Sequence, residues 1–226
     1  MALLTQSELG YFQQLASGAV ITMELAVSGY VLALAGGVLV GLVTLLRNPV
    51  IQVVWRVYAS IIMGVPSLLV IFLFYYGGSS VLSGMVDITP FEAGLSALVV
   101  VYTVYIAELV RGAVRNVPRG QFEASAALAI RPLSAWWHVI MPQVVRLALP
   151  GLVTIWMVVL KDTALVSLAG LNDLVAHAKT AAGATKEPFI YFIAASLFFV
   201  VFSAATLRAS ARLEKRFGRG LAVVKA

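Results

Sequence analysis

The chain has 226 residues, of which 61% are hydrophobic and only 12% charged, and its mean hydropathy is +0.97. A soluble globular domain carries about 25% charged residues, so this composition excludes an ordinary soluble protein and points to the lipid bilayer. Cysteine is absent, which removes a disulfide framework, a zinc knuckle and a thiol nucleophile. The net charge of +6 reads as Lys and Arg gathered in cytoplasmic loops, not as a footprint for nucleic acid.

The opening MALLTQSELGYFQQL has neither the basic n-region nor the small-residue cleavage site of a signal peptide. The first apolar helix is therefore expected to stay in the mature protein. About 20 apolar residues cross a bilayer, and residues 19–46 form the first such run. Gly29, Gly36, Gly37 and Gly41 lie within it and suit close helix packing in lipid. Glu24, near its start, reads as an interfacial carboxylate. A second run, residues 57–76, holds Pro66, which removes one backbone hydrogen bond and kinks a helix. Residues 91–112 make the third span. Glu108 and Arg111 close it at a spacing of three, the geometry of a structural ion pair on one helix; a gate or substrate contact is the other reading. A fourth span covers residues 146–169 and a fifth residues 188–208.

Lys and Arg alternate between the segments that join these spans. None precedes the first span. Arg47 and Arg56 follow it, none follows the second, and Arg111, Arg115, Arg119, Arg131 and Arg146 follow the third. Lys161, Lys179 and Lys186 are balanced by Asp162, Asp173 and Glu187, and the tail carries six more basic residues. The positive-inside rule then sets the N-terminus outside and the C-terminus in the cytoplasm. The sequence thus predicts an all-α integral membrane protein of five transmembrane helices in one permease-like domain, with a cytoplasmic loop over residues 113–145.

That loop holds the most structured polar segment of the chain, PRGQFEASAALAIRPLSAWWHVIMPQ. Alanine is the best helix former, so a short helix is expected from Gly120 to Ile130. Glu123 in its first turns complements the positive end of the helix dipole. A second short helix is expected over Leu133–Ile140, ended by Pro142. Such a pair serves either as an amphipathic connector on the lipid surface or as a knob docked in a protein groove. The small side chains of Ala124, Ala126 and Ala127 favour the knob.

The second notable feature is Lys161-Asp162-Thr163 inside the fourth span. With entry near Leu147 the triplet lies roughly 21 Å in at 1.5 Å per residue, past the midplane of a ~30 Å hydrocarbon core. An ionisable residue there is costly and marks a pathway by default; the plain alternative is a span that ends at Leu160. Lys161 and Asp162 point about 100° apart, so both need not face the path.

EASAALA followed by IMPQ resembles the EAA loop of ABC-transporter permease subunits, whose pattern runs E-A-A, then a glycine, then I-x-L-P. Glu123-Ala124-Ser125 match the first part, Ala129 stands where the family has glycine, and Ile140-Met141-Pro142 stand near I-x-L-P. Without glycine's ease in a left-handed turn, the turn is expected at Arg131-Pro132 instead. RGAVRNVPRGQFEASAAL, MPQVVRLALPGL, LKDTALVSLAGLNDL, MGVPSLLVIFLFYYG and YIAELVRG are similar to the polar amino-acid uptake branch of these importers, over roughly residues 57–176.

The resemblance implies a type I ABC importer fold and a place in the bacterial inner membrane. It implies a second permease subunit, identical or related, two cytoplasmic ATPase subunits, an extracytoplasmic binding protein and a small polar amino-acid-like substrate. Gly120, Glu123, Ala124, Ser125, Ala126, Ala127, Ala129, Arg131 and Pro132 would form the coupling loop that meets the ATPase. ATP and Mg would sit on that partner and no cofactor on this chain. The sequence agrees on one point: it contains no Gly-Lys dipeptide, so no P-loop is possible here. Against an enzyme stand the absence of H-E-x-x-H and of any triad or metal setting for His138 and His177. A self-contained secondary transporter or channel remains the alternative, with Asp162, Glu24 and Glu108 as its few candidate carboxylates; a non-transporting scaffold is a third.

Overall fold

The structure, a computed structural model, describes residues 6–46, 48–78 and 88–217, with side chains between residues 10 and 212 of those ranges. Arg47, Asp87, Arg219 and Lys225, and the side chains of Glu214, Lys215 and Arg216, lie outside them. Every element among the described residues is helical. Four helices are long and apolar enough to cross a membrane, and a bent pair makes a fifth crossing if it counts as one span.

Helix α1 runs Gln6–Val43, 38 residues or roughly 57 Å, so it overshoots a bilayer core and begins well before residue 19. It lies alongside α4 (Pro90–Arg115) in the same direction. The seam between them is made by missing side chains. A Cβ on Gly37 would sit 2.6 Å from the Cβ of Ile106, and one on Gly41 would sit 3.1 Å from the Ala107 carbonyl oxygen. In lipid no water drives helices together, so such close backbone approach supplies the packing energy. The α4 start is fixed by a capping box in which the Thr89 side chain and the Glu92 side chain each accept from the other's backbone amide.

The second crossing differs from the single kinked span expected over residues 57–76. Helix α2 begins at Pro49 and ends at Gly64; α3 covers Ser67–Gly77, and the two are bent by 99°. The early start has a local cause: the side-chain Oδ1 of Asn48 accepts from the amides of Val50 at 2.9 Å and Ile51 at 3.4 Å, an N-cap ahead of a proline at the first turn. The break has another. A proline forces the preceding residue out of the helical region, and Val65 is extended (φ −95, ψ 129). Pro66 therefore ends one helix and begins the next.

After α5 (Arg119–Ala127) the chain enters α6, Pro132–Ala169. Pro142 does not end the element as the sequence suggested. Residues Trp136–Ile140 form a π turn, and Pro142 opens the α-helical segment that follows. There its missing N–H deprives the helix of little. Lys161-Asp162-Thr163 likewise lie inside the continuous helix. Beyond a left-handed Gly170 (φ 94), α7 spans Leu174–Thr185 and α8 spans Pro188–Phe217. Asp173 is wholly buried and caps α7, accepting from the amide of Ala176 at 2.9 Å. Burial pushes its carboxyl above the usual carboxylate range. The Leu174 amide donates to Thr22 Oγ1 at 3.2 Å, which ties α7 to α1.

One core joins α1, α3, α4 and α6 through Leu25, Ile71, Leu98, Ile106, Val159 and Val166. Large apolar side chains such as Leu39, Val57, Leu73, Phe189 and Val201 remain on the outside, as a lipid-facing surface allows. The α4–α6 seam depends on Gly94, where a Cβ would sit 2.4 Å from Val166 Cγ1. Gly94→Leu is expected to destabilise the detergent-solubilised protein by about 1–3 kcal/mol through overpacking, read as a lower melting temperature. Gly112→Ala, where an added Cβ meets nothing within 4 Å, should leave that temperature unchanged or raise it.

Candidate functional site at the helix break

The break at Pro66 opens onto a groove of about 580 Å³ between α2, α3, α4 and α6. A carboxylate sits in its wall. Asp162 Oδ2 accepts from the Tyr102 hydroxyl at 2.6 Å and from the Ser67 hydroxyl at 2.7 Å. Tyr102 comes from the middle of α4, Ser67 from the first turn of α3 and Asp162 from α6, so three elements converge on one oxygen atom. Both bonds reach Oδ2, and they hold the carboxylate in the groove wall without cancelling its charge. Such a group attracts an ammonium or guanidinium.

The triplet divides. Thr163 is fully buried and its hydroxyl donates to the Leu160 carbonyl at 2.7 Å; it packs into the core and does not line the groove. Lys161 is exposed and lies outside the groove lining. Of Lys161, Asp162 and Thr163 only Asp162 lines the groove, because successive helical residues point about 100° apart. Sequence reasoning missed Ser67, Tyr102 and Tyr105. The local signal was slight: Tyr102 and Tyr105 are two hydroxyl-bearing residues one turn apart on a span that also holds Ser96, Thr103, Glu108 and Arg111. Glu24 is exposed on α1, in an apolar groove with Phe198 and Phe202, away from this site.

Further along α4, Glu108 and Arg111 form an i,i+3 ion pair. The Trp55 indole donates to the same Glu108 oxygen at 2.5 Å, which fastens α2 to α4. Arg111 is buried, and its Nε has no hydrogen-bond partner.

The loop beyond α4 makes its turn at Ala129, not at Arg131-Pro132. Ala129 takes the left-handed conformation (φ 50). The Ile130 amide donates to the Ser125 carbonyl and the Ala129 amide to the Ala126 carbonyl, both at 3.0 Å. That is a Schellman motif with alanine in the seat that glycine fills at least cost. Gly120, Glu123, Ala124, Ala126, Ala127 and Ala129 are exposed along α5 and its end, as are Arg131 and Pro132 beyond them. Ser125 is the exception: it is buried, and its hydroxyl donates back to the Gln121 carbonyl at 2.7 Å. Phe122, Leu128 and Leu133 stand exposed beside the alanines. Among the described residues no group of His, Asp or Glu has the arrangement of a metal site.

Residues 33–219 match the family described as "Binding-protein-dependent transport system inner membrane component". The nopaline transport system permease protein NocQ of Agrobacterium fabrum is 33% identical and covered to 98%, as is this chain. The histidine/lysine/arginine/ornithine transport system permease protein HisQ of Escherichia coli is 34% identical, over 94% of this chain and 96% of its own length. A solved amino acid ABC transporter crystallised with histidines superimposes with a TM-score of 0.85 at 28% identity, over 96% of this chain and 100% of the other. A binding-protein-dependent system excludes the self-contained secondary transporter or channel. Permease membership of an ABC import system implies ATPase and substrate-binding-protein partners, and is consistent with a chain that is not itself an enzyme. The chain is a multi-pass inner-membrane protein and belongs to the family of binding-protein-dependent transport system inner membrane components, as an ABC importer permease.

Proposed function

We propose that this chain forms one half of a pathway for a polar amino acid or an opine-like derivative, and that Asp162 receives the cationic group of that solute. The observation that carries this reading is a carboxylate held by Tyr102 and Ser67 in the wall of an open groove at a broken helix. An ionisable group inside a membrane bundle marks a solute route by default, and discontinuous helices border such routes in many transporters. The relatives named above serve nopaline and histidine, lysine, arginine and ornithine. Each of those solutes carries a cationic nitrogen and a carboxylate.

In this reading a second permease subunit, identical or related, closes the groove, and two ATPase subunits carry ATP and Mg. The N-terminus lies outside and the C-terminus in the cytoplasm, as the alternation of basic residues favours. The α5 knob docks on the ATPase: its exposed alanines allow close approach, and Phe122, Leu128 and Leu133 offer apolar contact. Lipid surrounds the outer faces, and this chain binds no cofactor.

Three substitutions test the assignment in proteoliposomes containing the whole transporter and its binding protein. Asp162→Asn keeps the size and loses the charge; it should lower ATP-dependent uptake by about tenfold or more, the scale of one charged hydrogen bond. Uptake at the unaltered rate would remove Asp162 from the pathway. Glu123→Arg should leave membrane insertion intact and separate ATP hydrolysis from uptake; normal coupling would end the docking role of α5. Ala129→Gly removes the strain of a left-handed alanine, about 1 kcal/mol, and should raise the melting temperature while uptake is preserved. A fall in melting temperature would show that the alanine side chain itself matters to the turn.

A further inference from the structure

A second cavity, about 410 Å³, lies next to the Asp162 groove, and Met63 borders both. Its lining has the opposite character: Arg56 from α2 and Arg111 and Arg115 from α4, with Glu108 and Ser60 beside them. Three guanidinium groups thus face one carboxylate. One oxygen of that carboxylate already receives both Arg111 and the Trp55 indole. Arg111 is buried, and its Nε donor has no partner among the described residues. A surplus of positive charge with a buried free donor is a costly arrangement unless an anion completes it.

The position of the cavity narrows the choice of anion. Arg56 and Ser60 are exposed one turn apart on α2, at the edge of a face that Val53 and Val57 share at helical spacing. A polar stripe on a membrane helix faces water or protein, not lipid tails. On α4 the residues that border the first groove, Tyr102 and Tyr105, are followed along the same helix by Glu108, Arg111 and Arg115. From Tyr102 to Arg111 is roughly 14 Å of helix axis and to Arg115 roughly 20 Å, longer than an extended basic amino acid, so a solute meets the two stations one after the other. Arg115 ends α4, just before the α5 knob begins at Arg119.

We propose that Arg56, Arg111 and Arg115 form a second subsite of the pathway, on the side of the α5 knob, which takes the carboxylate of the solute whose cationic end Asp162 receives. The guanidinium fork matches a carboxylate in two-point contact. The solute then meets an acidic station and a basic station in succession, and a molecule lacking either charge is favoured at only one of them. This inference rests on the pathway reading of Asp162 given above.

The test uses the whole transporter with its binding protein in proteoliposomes. ATP-dependent uptake of labelled L-arginine and L-histidine is measured against competition by the free amino acids and by their carboxamides, which keep the cation and lose the anion. The ratio of the two competitions is compared between wild type and Arg56→Gln/Arg115→Gln, leaving the Arg111–Glu108 pair intact. The preference for the free acid should fall about tenfold in the double variant, the scale of one charged contact, and Arg56→Lys/Arg115→Lys should restore most of it. Each single Gln variant reports the same ratio if the pair does not assemble.

An unaltered ratio overturns the subsite. So does an equal loss for acid and amide, which would assign the arginines to lipid headgroups or to folding. If Asp162→Asn abolishes uptake while the ratio is unaltered in the arginine variants, the subsite falls and the pathway reading stands. If Asp162→Asn leaves uptake of both amino acids at the wild-type rate, the pathway reading and the subsite that rests on it fall together.

Discussion

A backbone amide inside a bilayer has no water to turn to, and each one left unpaired costs several kcal/mol. That constraint governs the whole chain. It makes every described element a helix, and it makes the abrupt break at Val65–Pro66 a place where the structure must offer something other than lipid. Here the break borders an open groove lined by hydroxyls and a carboxylate. The glycine seam between α1 and α4 serves the same end from the other side. By drawing two long helices into backbone contact, it builds a frame rigid enough to hold a third crossing that is broken.

Much of this was legible in the sequence. Apolar runs, basic loops and the alanine-rich knob follow from the cost of placing charge and polar backbone in lipid, a cost each residue carries with it. The family resemblance was also visible, because the knob and its flanking prolines form a pattern along the chain. What could not be read was how residues from different helices meet. Asp162 stood out as a charge in a span, but nothing local announced that Ser67 and Tyr102 would hold it. Thr163 looked equivalent to its neighbour and proved to face the core. The fate of two prolines was also hidden. Pro66 broke its helix by driving Val65 extended, and Pro142 did not, because it falls in the first turn of the α-helical segment that follows a π turn, where its missing N–H deprives the helix of little.

Ala129 shows how a family pattern can mislead in detail. The absence of glycine suggested that the turn would move. The hydrogen bonds of the Schellman motif and the packing of Ser125 beneath the helix instead hold the turn in place, and alanine bears the left-handed conformation. A residue's preference is a cost of about 1 kcal/mol, and a set of satisfied backbone bonds outweighs it.

The π turn at Trp136–Ile140 has a consequence for how this chain tolerates change in length. A π turn is a helix that has accommodated one residue more than an α turn needs. Were one of its residues deleted, the turn would close to ordinary α geometry and the helix beyond would keep its orientation, whereas a deletion in the regular α-helix that follows would rotate everything beyond it by about 100°. Asp162 lies on that same helix, more than five turns further on by the 3.6-residue repeat. Its aim into the groove is therefore set by the residue count of the α-helical stretch from Met141 onward, and the π turn near the α5 knob is the place where one residue can be lost without turning it. A one-residue deletion in that turn threatens the site less than one in the helix that follows.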